Sequence, residues 1–266
     1  MSFFQSLLFA VISFFASTVG AICGIGGGVV IKPVLDLFGW ASVSTISFLS
    51  GCTVLSMSCY SVGKSMLAKD SSVDLKKGTP LAIGAALGGI WGKQLFSLVK
   101  DSAPNPEMVG GVQAGCLAII TLYTLIYTIN KNSVRTKHVE SIPGCLVIGV
   151  VLGIMSSFLG IGGGPINLVV LYYFFSMETK TAAANSLYII LFSQIASLIT
   201  TLVTGTVPEF TITTLILMVI GGILGGVAGR IINKRIDNHM VENLFIGLMF
   251  LIILISVYNT WNYLLV

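Results

Sequence analysis

The stretch Gly160-Ile161-Gly162-Gly163-Gly164-Pro165 places four glycines and a proline between two apolar runs that each read as helix. Glycine in a helix interior costs about 1 kcal/mol relative to alanine, so four of them in five residues predict a break. Proline is tolerated at the first position of a helix, where its missing N–H would be unpaired anyway, so Pro165 marks where helix resumes. The same five-residue pattern, Gly24-Ile25-Gly26-Gly27-Gly28, stands 136 positions earlier, and its half-helix is expected to start near Val29. The break is written once in each half of the chain.

Around these breaks the composition is that of a membrane protein. The 266 residues are 55% hydrophobic and 9% charged, with a mean hydropathy of +0.97, which excludes an ordinary soluble domain. Apolar runs near the 20 residues that a spanning helix needs recur with short polar breaks, and each half contains one run too short to span. The first apolar run lacks a basic leader and continues into the glycine motif, so it reads as mature structure rather than a signal peptide. Cys23, Cys52, Cys59, Cys116 and Cys145 lie in or beside apolar runs without metal-ligand spacing, and read as small buried hydrophobes. The net charge of +4 bears on orientation in the membrane, and nucleic acid is not indicated.

The fold expected is all-α and polytopic, with two inverted-topology repeats, each a broken-helix hairpin plus three transmembrane helices. Residues 1–130 form the first repeat, 131–140 a cytoplasmic linker and 141–266 the second repeat. Duplication has a second echo: Gly84, Gly88, Gly89, Gly92 and Lys93 match Gly221, Gly225, Gly226, Gly229 and Arg230 at an offset of 137. Glycines at this spacing let helix backbones approach closely in lipid. Inversion follows from charge. Basic residues concentrate in Lys64–Lys77, Lys131–Lys137 and Lys234–Arg235, which should face the cytoplasm, whereas Gly205–Glu209 is poor in them and should lie outside. The loops after the third element of each half thereby fall on opposite sides.

An inverted repeat with a broken helix at one place in each half is the pattern of a secondary transporter with a midplane site. The first N–H groups of a half-helix have no intrahelical partner, and its N-terminus carries about half a positive charge, so two such ends attract an anion. Gly24, Gly26, Gly27 and Gly28, with Gly160, Gly162, Gly163, Gly164 and Pro165, are expected to line that cavity and expose backbone to the ligand. Lys32 and Asp36 are the ionisable pair inside the short half-helices. Lys32, about one turn past the break, either reaches the ligand or is neutralised by Asp36 at i+4. Asn167 stands beside the position equivalent to Lys32. The long helices offer Ser50, Thr53, Asn185, Ser186 and Gln194, of which Asn185 most needs a partner, either another helix or a ligand. The serine and threonine can also bond back to their own helix. No catalytic constellation, metal cluster or cofactor motif is visible, so neither an enzyme nor a metal site is expected.

The paired glycine motifs, together with Ala184-Asn185-Ser186, resemble the TauE/SafE sulfite exporter family over the whole chain. That resemblance implies a multi-pass transporter of the bacterial plasma membrane that moves small sulfur-containing anions such as sulfite, sulfoacetate or other organosulfonates, commonly outward. Lys32-Pro33 is a variation within the motif. The partners implied are that anion and the lipid bilayer, with a homo-oligomer as a further candidate. An anion channel using the same helix ends, or an accessory membrane subunit, are the alternative readings.

Overall fold

The computed structural model describes residues 2–67, 73–102, 108–161 and 163–265. Among these the chain is all helix: α1 (Phe3–Cys23), α2 (Gly28–Asp36), α3 (Val43–Leu67), α4 (Leu75–Ser102), α5 (Met108–Asn130), a 3-10 turn (Lys131–Ser133), α6 (Ile142–Leu159), α7 (Pro165–Phe175), α8 (Thr179–Val203), α9 (Ile212–Arg235) and α10 (Asn238–Leu265). All but α2 and α7 are long and apolar enough to cross a membrane, giving eight candidate spans. At 1.5 Å per residue, α2 and α7 reach only about 14 and 17 Å, roughly half of a 30 Å hydrocarbon layer.

Local chemistry sets the ends. Ser2 and Gln5 form a reciprocal capping box at the start of α1. Gly24 (φ 75°) and Gly160 (φ 65°) close α1 and α6 in the left-handed conformation that glycine adopts without strain. The short helix α7 begins at Pro165 as the sequence predicts, and α2 begins at Gly28, one residue before the expected Val29.

Each break turns its helix pair into a hairpin. In the first, the chain returns far enough for Trp40 to stack on Phe9, with ring centroids 6.1 Å apart. In the second, Val139 N, just before α6, donates to the Phe174 carbonyl at the end of α7 at 2.8 Å.

Two helix contacts are made through glycine. Along α4, Gly84, Gly88 and Gly92 face the carbonyls of Leu146, Val150 and Ile154 on α6 so closely that a Cβ would collide with backbone. Along α9, Gly221, Gly225 and Gly229 face the carbonyls of Ala10, Phe14 and Thr18 on α1 in the same way. The three α1 residues stand 136 positions before the three on α6. The glycine stripe read from the sequence is therefore a backbone-to-backbone contact made twice.

Helices at matching places in the two halves run antiparallel where they meet. Gly51 near the start of α3 faces Gln194 toward the end of α8, and a Cβ on Gly51 would come 3.0 Å from its Oε1. Gly110 at the start of α5 faces Tyr263 at the end of α10, while Lys131 beyond the end of α5 pairs with Glu242 near the start of α10. One end of the bundle gathers Lys131, Lys137, Lys180, Arg230 and Lys234: Arg230 Nη2 donates to the Lys64 carbonyl at 3.3 Å and Lys180 Nζ to the Ile236 carbonyl. The loop Gly205–Glu209 lies at the other end. Lys69 lies outside the described residues.

Of the cysteines, Cys23 and Cys145 are buried as expected, whereas Cys59 is exposed on α3, where a small apolar side chain can face lipid as readily as protein.

Candidate functional site

The two glycine breaks meet in the interior. Ile25 and Ile161, central to the two motifs, are buried. A Cβ on Gly28 would collide with the Ile161 carbonyl oxygen and come 3.0 Å from Ser50 Oγ. From the other half, a Cβ on Gly163 (φ 135°) would collide with the Ile190 side chain and come 3.4 Å from the Ile25 carbonyl oxygen. Neither α2 nor α7 has a side-chain cap at its N-terminus: Gly27 and Gly164 occupy the cap positions. Two uncapped helix starts thus stand at a junction of irregular backbone inside the bundle, with the partial positive charge that such starts carry.

Polar side chains without partners surround this junction. Ser17, Ser47 and Ser50 hydroxyls and Asn167 Oδ1 are buried and have no hydrogen-bond partner among the described residues. A Cβ on Gly27 would come 2.8 Å from Ser17 Oγ, and one on Gly160 would come 2.6 Å from Ser47 Oγ. Buried polar atoms are normally paired, so a cluster of unpaired ones marks a place for a ligand or water.

Lys32 is buried and its Nζ donates to Asp36 Oδ2 at 2.8 Å, while Asp36 Oδ1 is unpartnered. Its Cε also lies 3.5 Å from where a Cβ on Gly160 would be, so the same side chain borders the second break. The i, i+4 ion pair is formed, and it stands at the junction.

The other candidate residues divide by place. Asn167 Nδ2 reaches Ser186 Oγ at 3.4 Å, which brings those two together next to the start of α7. Thr53 bonds back to the Leu49 carbonyl at 2.8 Å and packs on Gly222 of α9, whereas Ser50, one turn earlier, has no partner among the described residues. Asn185 is fully buried; its Oδ1 accepts from Asp74 N at 3.1 Å just before α4, and its Nδ2 donates to the Thr181 carbonyl at 2.8 Å. The partner its amide needs is found at another helix end, toward the basic end of the bundle. Gly26 (φ 74°) and Pro165 are buried within the breaks, and Gly162 lies outside the described residues. Gly27, Gly28 and Gly163 face protein rather than open space, against Ser17, the Ile161 carbonyl and Ile190. Gly164 is looser: among the described residues a Cβ there would meet only Ile161 Cδ1, at 3.3 Å.

Two cavities flank the junction. Toward the basic end, a space of about 230 Å³ is lined by Ser61, Val62 and Ser65 of α3, Lys180, Ala183, Ala184 and Leu187 of α8, and Arg230, Asn233 and Lys234 of α9. Gly24 abuts Ala183, so the first break borders this space. Toward the other end, a narrower space of about 30 Å³ is lined by Ser47, Gly51, Lys93, Gln113, Ser156, Ser157, Gly160, Gln194, Ser197, Leu198 and Thr201. That is room for roughly two water molecules. Sequence reasoning missed Ser17, Ser47, Gln113, Ser156 and Ser157. Their signal is faint, since single serines in apolar helices usually bond back to their own backbone.

The model of the Sulfite exporter TauE/SafE family matches residues 9–255. A Bacillus subtilis (strain 168) protein described as "Probable membrane transporter protein YunE" is 23% identical over 232 residues, covering 75% of this chain and 79% of that protein. No solved structure matches the chain.

Proposed function

Because the chain belongs to the sulfite exporter TauE/SafE family of membrane transporters, we propose that it is a secondary carrier that moves a small sulfur-containing anion outward across the bacterial plasma membrane. Sulfite, sulfoacetate and other organosulfonates are the substrate class, and the site is the junction of the two glycine breaks. The observation that carries this reading is the pair of uncapped half-helix starts with the buried hydroxyls of Ser17, Ser47 and Ser50 around them, which have no partner among the described residues. Helix starts and hydroxyls donate hydrogen bonds, and a sulfur oxyanion offers only acceptors.

The halves act as inverted repeats, 1–130 and 141–266 joined by 131–140, with the basic end cytoplasmic. The antiparallel course of α3 against α8 and of α5 against α10 supports inversion. In the present state the Ile161 backbone fills the space before the start of α2, so the anion enters when the two break segments part. Two unequal cavities on either side of the junction favour a carrier that alternates over a channel with one continuous path.

The test is a binding screen of the purified protein against sulfite, thiosulfate, sulfoacetate, taurine and sulfate, followed by flux in proteoliposomes. Saturable flux with counterflow of a bound anion is expected. Binding confined to neutral molecules or cations would overturn the substrate class, and flux without saturation or counterflow would make the protein a channel.

A further inference from the structure

Packing against α6 accounts for the glycines of the α4 stripe but not for Lys93, which follows Gly92 as Arg230 follows Gly229. We propose that Lys93 is an anion-binding residue of the entrance opposite the basic end and that Arg230 is its counterpart at the basic end, so that a small oxyanion meets one cation on each side of the glycine breaks. The proposal rests on the transport reading above and adds where the anion is held before and after it passes the junction.

The first argument is correspondence between the two cavities. Ser61, Val62 and Ser65 line the one at the basic end, and Ser197, Leu198 and Thr201, each 136 positions later, line the other. Ala183 and Leu187 of the first match Ser47 and Gly51 of the second at the same offset. Arg230 and Lys93 complete the correspondence at 137, each lining the cavity on its own side. The two spaces are therefore built from equivalent residues of opposite halves, as the two mouths of one path would be.

The second argument is the place of Lys93. It lines the inner space of about 30 Å³ and also an outer groove of about 360 Å³ with Gln94, Asp101 and Thr204, so it stands where groove and cavity adjoin. Nine residues before the end of α4, it lies roughly 14 Å inside that helix end. It makes no ion pair among the described residues, and its Nζ sits 5.4 Å from the Phe96 ring centroid. An ionisable side chain within a spanning helix is by default a candidate site residue.

The third argument is what lies inward of it. Ser47, Ser156 and Ser157 hydroxyls line the same cavity, buried and without a partner among the described residues, and a Cβ on Gly160 beside them would come 3.5 Å from Lys32 Cε. Lys93, these hydroxyls and Lys32 make a series of donors from groove to junction. Such a series suits a ligand that only accepts hydrogen bonds and carries negative charge. At the basic end Arg230 also donates to the Ser61 and Lys64 carbonyls at 3.2 and 3.3 Å, tying its cation to the end of α3.

The experiment measures sulfite flux in proteoliposomes of known orientation, with the anion supplied from one face at a time. In Lys93→Gln, loss of a charge-assisted hydrogen bond is expected to raise the half-saturation from the groove face about tenfold or more. From the basic face the rise is expected to be much smaller. Lys93→Arg, which keeps the charge, is expected to stay within about threefold of wild type. A merely structural role would instead lower the maximal rate from both faces alike. Should Lys93→Gln fail to accumulate, Ser157→Ala replaces it and is expected to show the same one-sided shift. Unchanged half-saturation from the groove face, or an equal rise from both, overturns the proposal while leaving the transport reading intact. No sulfite or other anion flux in the wild-type protein overturns that reading and this proposal with it.

Discussion

Gly28 opens α2 with its α-carbon against the carbonyl oxygen of Ile161, so the helix start of one half touches the break of the other. Position 28 has no room for a methyl group, because the atom it would strike is backbone. Gly164, which occupies the equivalent position in the second motif, has among the described residues only the flexible Ile161 side chain before it.

That difference predicts opposite outcomes for one substitution. Gly28→Ala must push the two breaks apart, and overpacking of this kind costs about 1–3 kcal/mol. Gly164→Ala sits in extended backbone (φ −165°) and displaces one rotamer, so its melting temperature is expected to stay within a few degrees of wild type. Melting of the two purified variants in one detergent checks this. Equal loss in both would mean that the junction is not as close-packed at Gly28 as described.

The glycine stripes carry a second prediction. Gly88 meets the Val150 carbonyl and Gly225 the Phe14 carbonyl, each at the centre of a helix crossing. Gly88→Leu and Gly225→Leu are expected to abolish accumulation of folded protein, because neither crossing can widen without disturbing α1 or α6 at a break. Gly247→Leu, where a Cβ meets nothing within 4 Å, is the control and should accumulate normally. Size-exclusion profiles from membranes of equal expression compare them.

Helix positions were legible because apolar runs and glycine punctuation are local signals: α7 starts at Pro165 as expected, and α2 starts at Gly28, one residue before the expected Val29. The stripe of α4 and α9 was legible as packing because glycine at i and i+4 has one common use in lipid. The partner of Asn185 was not legible: an amide in an apolar run needs a partner, but only the fold reveals that it is Asp74 N, 111 residues away in sequence. Lys93 was hidden for the opposite reason, since its place at the end of a glycine stripe gave it a structural explanation before its two cavities were known. Ser17 and Ser47 carry no signal of their own in sequence, because an unpaired hydroxyl and one bonded to its own helix look the same there.

Orientation gives a third prediction. In a cysteine-free background, Val207→Cys is expected to react with an impermeant maleimide added outside intact cells. Lys76→Cys and His138→Cys, both exposed at the basic end, are expected to react only after the membrane is opened. Labelling of Val207→Cys and Lys76→Cys from the same side would sink the inverted topology.

Lys32 bears the last prediction, because it stands between two things: Asp36, which it meets in a 2.8 Å ion pair, and the second break, where a Cβ on Gly160 would come 3.5 Å from its Cε. Lys32→Met leaves Asp36 with both oxygens unpaired in the interior, and breaking a buried pair from one side costs about 3–5 kcal/mol. Folded protein should therefore be scarce in that variant. Adding Asp36→Asn removes the stranded charge, and the double variant is expected to recover most of the stability. Anion affinity should not recover with it, since the ammonium beside the junction is gone, and a loss of about tenfold or more is expected from one charge-assisted hydrogen bond. Melting curves and anion titrations on the same preparations separate the two effects. A double variant that binds as tightly as wild type would confine Lys32 to its partnership with Asp36.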